Sequence, residues 1–329
     1  MITLFNTTCI YNSVTNKTIL YGHYNKMFKK WSINLINVRL VLCDKRPDFY
    51  IEIPSKIETI SILIFHFDDN EIKYSDIKLS FPFNNLLINL DKNKSAIITT
   101  MCKDYGHRLD EWIQYNLKLG FSGIIVFNNN YNSINPINEL NEHVLLKKPK
   151  MDNYIMVDMK TIVDKYKDKV IMIDFPYSPF VNFHYDNIQR NALHISVNVF
   201  KNKCKYIALI DADEFIHIPS KNNIEEFLEI YNRTITMKSN IITNKNEDDI
   251  IDNNILKIAE YIGENKYTKT ILNTNYIKDN EFIVTPHSHS SELVLEKDVI
   301  IHYHCWINER YQYNESMLKI NELKNIIYI

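Results

Sequence analysis

Residues 206–215 read Tyr206-Ile207-Ala208-Leu209-Ile210-Asp211-Ala212-Asp213-Glu214-Phe215. A short apolar run that ends abruptly in carboxylates fits a strand buried on both faces, as in a parallel sheet covered by helices. In such sheets ligands bind beyond the carboxyl ends of the strands, which is where the acidic residues fall. Side chains at i and i+2 of an extended segment point the same way. Asp211 and Asp213 are therefore expected to reach one metal ion, while Glu214 points away, toward a Lys, an Arg or a helix N-terminus. Hard carboxylate oxygens suit Mn2+ or Mg2+, which keep positions open for substrate phosphates.

The flanking sequence repeats the strand–helix alternation. Ala96–Met101, Gly123–Phe127 and Val170–Phe175 are further apolar runs. Helices fit 108–119, where Leu109, Trp112, Ile113 and Leu117 share a face and Gly120 stands at C′. Ile155, Met159, Ile162 and Tyr166 mark a second amphipathic helix. Ile188, Ala192, Ile195 and Val199 mark a third over 186–201. Ser220 or Asn222 is placed to cap a fourth containing Ile224, Phe227 and Leu228. Repeated βα units predict an α/β fold, a mostly parallel Rossmann-like sheet with helices on both faces. Thr100–Asp104, Asn128–Asn130, Asp174 and Asp211–Glu214 then surround one crevice.

Residues 1–92 differ. Lys17–Tyr21, Asn37–Cys43, Phe49–Ile53 and Thr59–Phe67 are β-branched and aromatic, punctuated by turn formers, and predict a small β-rich amino-terminal module ahead of a catalytic domain over 93–329. Residues 233–265 are polar, especially 240–252, and read as a loop or insertion. The chain has 329 residues, 45% hydrophobic and 24% charged, with a formal net charge of −2. That balance fits a globular protein and gives no field for nucleic acid. Its five cysteines contain no CxxC pair, which argues against a thiolate zinc site and for reduced thiols. The amino terminus lacks the basic and apolar regions of a signal peptide, and no apolar stretch reaches about 18 residues. A soluble, cytoplasmic protein without a membrane span is expected.

Four stretches, 101–120, 127–130, 206–215 and 269–303, together resemble the GT92-like glycosyltransferases, the family once called domain of unknown function 23, and their GT2-like relatives. Met101-Cys102-Lys103-Asp104 through Leu109-Asp110-Glu111-Trp112-Ile113-Gln114-Tyr115 to Leu119-Gly120 is similar to the family's Cys-Lys-Asn-Glu, Leu-x-Glu-Trp-Ile-x-Tyr-His and Leu-Gly. Phe127-Asn128-Asn129-Asn130 resembles Tyr-Asp-Asn-x-Ser. Tyr206–Phe215 resembles the strand ending in Asp-x-Asp-Glu-Phe. Lys269-Thr270-Ile271-Leu272, then His287, His289 and His302-Tyr303, resemble Lys-x-Ile-Val with later histidines and a His-Tyr pair. Asp104, Tyr105, Asn116 and Tyr131-Asn132 depart from the pattern and bear on donor and acceptor identity.

The resemblance implies a GT-A fold, a Mn2+-like ion and a nucleotide-sugar donor, with a UDP-sugar expected first. Thr100, Cys102, Lys103 and Asp104 would line the nucleoside pocket near Asn129 or Asn130. Arg108 would reach a phosphate, or else be a solvated first-turn residue. Lys269 would meet the diphosphate, or else be solvated at a strand end. His302 on a strand over 299–306 would complete the metal site with Asp211 and Asp213, His287 being the other candidate. An inverting reaction needs a carboxylate to deprotonate the acceptor hydroxyl, for which Glu292 and Asp174 are candidates. Trp112 reads as core and Trp306 as core or acceptor-facing. The expected activity is metal-dependent transfer of a sugar to a glycan or other hydroxyl acceptor. The alternatives are a non-catalytic carbohydrate- or protein-binding module and a sugar-phosphate nucleotidyltransferase. A Gly-rich loop typical of the latter is missing from Thr99–Gly106, which holds a single glycine.

Overall fold

A computed structural model describes residues 88–103, 105–129, 157–175, 185–218, 221, 223–243, 261–278, 285–287, 293–303 and 318–319, with strands at 4–12, 17–24, 39–42, 48–53, 60–68 and 71–79. For those amino-terminal strands and for 107, 174, 185–188, 191, 296–303 and 318–319 the description is of backbone alone.

The amino-terminal strands are β1 (Leu4–Asn12), β2 (Lys17–Tyr24), β3 (Arg39–Leu42), β4 (Asp48–Ile53), β5 (Ile60–Asp68) and β6 (Glu71–Leu79). They pair antiparallel as a sheet of order β1-β2-β4-β3 and a β5-β6 hairpin. The rest of the described chain follows a mixed α/β plan. Its elements are β7 (Ala96–Cys102), α1 (Gly106–Lys118), β8 (Gly123–Asn128), α2 (Met159–Val163), β9 (Val170–Asp174), α3 (Tyr185–Phe200), β10 (Tyr206–Leu209), β11 (Glu214–His217), α4 (Ile224–Tyr231), β12 (Ile235–Thr243), β13 (Tyr261–Asn273), β14 (Leu293–Tyr303) and β15 (Leu318–Lys319).

One large sheet has the order β11-β14-β12-β13-β10-β7-β8-β9, with β15 on β13. Strands β10, β7, β8 and β9 are mutually parallel, and β12 is parallel to β14. Strand β13 runs against both β10 and β12. The chain steps from β7 to β8 to β9 in one direction, then returns across the sheet to lay β10 on the other side of β7. That reversal is a topological switch point, and the crevice it opens lies at the carboxyl ends of β7 and β10.

Alternation along the strands builds two cores. Ile98, Ile124, Val126 and Ala208 face α1 and α2, packing with Leu109, Trp112, Ile113, Met159 and Ile162. Ile97, Met101, Ile125, Phe127, Ile207 and Leu209 face α3, packing with Leu193, Ile195 and Phe200. Each Val, Leu, Ile, Phe or Met among them contributes about 1.5–3 kcal/mol when fully buried.

Two glycines set the pose of α1. A Cβ at Gly106 would lie 1.9 Å from the Val157 carbonyl oxygen, so only glycine admits this approach. Gly120 ends the helix with φ 101 and lies against Asn223. Asn223, rather than Ser220 or Asn222, caps α4, its Oδ1 accepting from the Glu225 and Glu226 amides.

The loop expected at 233–265 is corrected in part. Residues 235–243 and 261–265 belong to β12 and β13, paired side by side. Their polar residues face each other, as Thr236 and Thr270 do through hydroxyls 3.1 Å apart. Among the described residues no helix is long and apolar enough to cross a membrane.

Candidate active site

Strand β10 delivers Asp211 to the switch-point crevice, but the segment beyond it is not extended. The Glu214 amide donates to the Asp211 carbonyl at 3.1 Å, closing a turn over Asp211–Glu214. This corrects the i, i+2 geometry expected for Asp211 and Asp213. It also overturns the expectation that Glu214 points away from Asp211. The turn folds Glu214 back, so that its Oε2 accepts the Asp211 amide at 3.0 Å.

Lys269 closes the circuit from the neighbouring strand. Because Thr270 pairs with Leu209, Lys269 arrives just beyond the carboxyl end of β10. Its ammonium donates to Asp211 Oδ2 and lies 3.1 Å from Glu214 Oε2. The Lys269 and Glu214 side chains are each 2% exposed, whereas that of Asp211 is 33% exposed. Burial presses the Lys269 ammonium toward its neutral form. The Asp211 and Glu214 carboxylates outweigh that penalty and hold its pKa above the ordinary lysine value. Lys269 is thus not the solvated strand-end residue that was one reading of it. The other Asp211 oxygen, Oδ1, accepts from Gln189 Nε2 of α3.

Helix α1 fixes the chain that follows the turn. Trp112 Nε1 donates to the Glu214 carbonyl at 2.8 Å, and the Tyr115 hydroxyl to the Ile216 carbonyl at 2.6 Å. Trp112 is fully buried, as its place on the apolar stripe implied. Its indole also acts as a clamp, a role that periodicity does not reveal.

The other candidates distribute along the same edge. Met101 and Cys102 end β7, and the register sets Cys102 beside Asn128 and Asn128 beside Asp174. Thr100 is buried, and its hydroxyl has no hydrogen-bond partner among the described residues. The Cys102 thiol turns toward α2, 3.5 Å from Met159 Sδ, and Lys103 follows half-buried at the rim. Asn129 ties three strand ends together, its amide donating to the Cys102 carbonyl and its Nδ2 to the Phe175 carbonyl, both at 2.8 Å. Arg108 is buried in the first turn of α1, so the solvated reading does not hold.

Asp213 lies half-buried in the turn. His302 occupies the β14 register position opposite Glu214. His287 lies against β13 beside Lys269, with Nδ1 2.6 Å from the Thr268 carbonyl. A carbonyl only accepts, so Nδ1 carries the proton. Asp104, Asn130, Glu292, His289, His304 and Trp306 lie outside the described residues, as do the side chains of Asp174 and His302. Among the described residues no group of three or more His, Cys, Asp and Glu side chains is placed to hold a metal. The carboxylates of Asp211 and Asp213, in one turn, suit a hard divalent cation in chemistry. One of them, Asp211, already carries a lysine.

Gln189 and the clamping role of Trp112 and Tyr115 were not anticipated. Gln189 had a signal in the topology: a helix entered from the carboxyl end of β9 begins at the crevice edge, so its first turns face the site.

No protein-family model and no curated protein sequence matches the chain. Solved structures that it resembles include ferredoxin-NADP+ reductase from Plasmodium falciparum with 2'P-AMP, at 12% identity and a TM-score of 0.17 over 63% of this chain and 85% of that one. A likeness at that level says nothing about activity.

Proposed function

We propose that the chain is a metal-dependent glycosyltransferase of the GT-A type, moving a sugar from a nucleotide-sugar donor to a hydroxyl acceptor. The observation that supports it best is the acidic turn Asp211–Glu214, held rigidly at the carboxyl end of β10 and at the switch point of the sheet. A parallel sheet binds its ligand there, and preorganised groups at such an edge suit a charged leaving group.

In this reading Asp213 and Asp211 hold a divalent ion, with His302 or His287 as a further ligand. When bound, the ion would neutralise the diphosphate and assist its departure. Thr100, Lys103 and Asn129 form the nucleoside side of the crevice, a role also assigned to Asp104 and Asn130 from the sequence. Asp174, at the end of β9, and Glu292 are the carboxylates available to take the acceptor proton in an inverting displacement.

The test is slow donor hydrolysis. Purified protein is incubated with Mn2+ and a panel of UDP-, GDP- and dTDP-sugars, beside Asp213→Ala. The expected outcome is nucleotide release from one donor that falls at least about a hundredfold in the variant. No release from any donor, together with no Mn2+-dependent nucleotide binding, would replace this reading with a non-catalytic binding module.

A further inference from the structure

We infer that Lys269 is the resident counter-cation of the acidic turn and not a ligand of the donor diphosphate. The inference rests on the transferase reading only in its reference to a diphosphate.

The geometry starts from burial. Lys269 and Glu214 are almost wholly excluded from solvent and face each other at 3.1 Å. A buried carboxylate is tolerated when it is paired and hydrogen-bonded, and Glu214 meets both conditions through Lys269 and the Asp211 amide. Lysine has three donors, and two of them point at Asp211 and Glu214. To reach a phosphate in the crevice, the ammonium would have to leave a carboxylate that is 2% exposed and 3.1 Å away.

The second part concerns Asp211. Its Oδ1 is held by Gln189 from α3 and its Oδ2 by Lys269 from β13, so two separate elements fix the plane of the carboxylate. That grip needs no ion. The positive charge beneath Asp211 also lowers its attraction for a divalent cation.

Three variants test this: Lys269→Met, Lys269→Arg, and Lys269→Met combined with Glu214→Gln, which removes the buried anion along with its partner. Thermal unfolding is measured without added ligand, then Mn2+ binding alone, then UDP binding at saturating Mn2+. Lys269→Met should lower the unfolding temperature by roughly 5–10 °C. Lys269→Arg and the double variant should each recover most of that loss. The folded double variant should bind Mn2+ within about threefold of the parent, because one positive and one negative charge leave together. Its UDP affinity should stay within about threefold of the parent.

An unfolding temperature unmoved in Lys269→Met would overturn the inference. So would a double variant with parental Mn2+ affinity that loses UDP by about tenfold or more, since Lys269 would then be a phosphate ligand. A parent protein that binds neither Mn2+ nor UDP would sink the transferase reading instead. The Lys269 assignment would then be decided by the unfolding arm alone.

Discussion

Two buried glutamates sit at opposite edges of the same sheet. At the amino edge Glu225 of α4 accepts the Ala96 amide at 3.3 Å and the Ser122 hydroxyl at 2.6 Å. Its charged neighbour there is Lys94, 3.6 Å away with a side chain 69% exposed. At the carboxyl edge Glu214 is met by a buried ammonium that it shares with Asp211. Where the sheet only needs closing, neutral donors and a solvated lysine suffice. Burying a full ion pair is poor value for stability alone, since apolar replacements of such pairs are often neutral or better. Its presence beneath a third-exposed aspartate marks the edge where geometry matters more than stability.

Truncating the two glutamates tests that contrast with the largest expected effects. Glu214→Ala strands the Lys269 charge with one partner and frees the turn, so urea denaturation should show a loss of about 3–5 kcal/mol. Metal-dependent nucleotide release should vanish with it. Glu225→Ala should cost about 1–3 kcal/mol for the lost hydrogen bonds and leave release unchanged. If both variants keep release, or both lose it, the two edges do not differ and the comparison breaks.

The contrast also explains how much was legible in the sequence. Strands β7, β8 and β10 were readable because both their faces are buried and most of their residues are apolar. Helix α1 was readable from its stripe and from Gly120. Strands β12 and β13 were not, because Thr236 and Thr270 satisfy each other across the ladder, and paired hydroxyls look like solvated ones in a sequence. The acidic residues were located correctly, but the extended geometry assumed for them fails at a turn closed by the Glu214 amide. The partner of Lys269 was hidden for a different reason: 55 residues separate it from Glu214, and only the placement of β13 beside β10 brings them together.

Acid should loosen the helix that carries Gln189. Burial, and then the Arg190 guanidinium, hold the His194 imidazole down to about 3 from an ordinary 6.5. The folded state therefore keeps His194 neutral while the unfolded state takes up a proton. This contribution is complete above pH 6.5 and is lost as pH falls toward 3. At about 1.4 kcal/mol per unit, roughly 2 kcal/mol is gone by pH 5. His194→Gln should flatten stability between pH 7 and pH 5 in parallel urea titrations. A parent protein equally stable at both values would remove His194 from the account.

The smallest effects separate the two clamps on β11. Trp112→Phe keeps a ring in the core and deletes the bond to the Glu214 carbonyl, while Tyr115→Phe deletes the bond to Ile216. Each bond contributes about 1 kcal/mol, and Trp112→Phe also leaves a small cavity in the core, so it should be the less stable of the two in denaturation. They should differ in nucleotide release. The Trp112 bond acts on the residue that accepts from Lys269, and its loss lets the acidic turn drift. The Tyr115 bond lies two residues further along, on backbone that no candidate site residue shares. A fall in release of roughly threefold to tenfold in Trp112→Phe, with Tyr115→Phe unchanged, would confine the demand for precise geometry to the turn. Equal falls would spread that demand along the whole of β11.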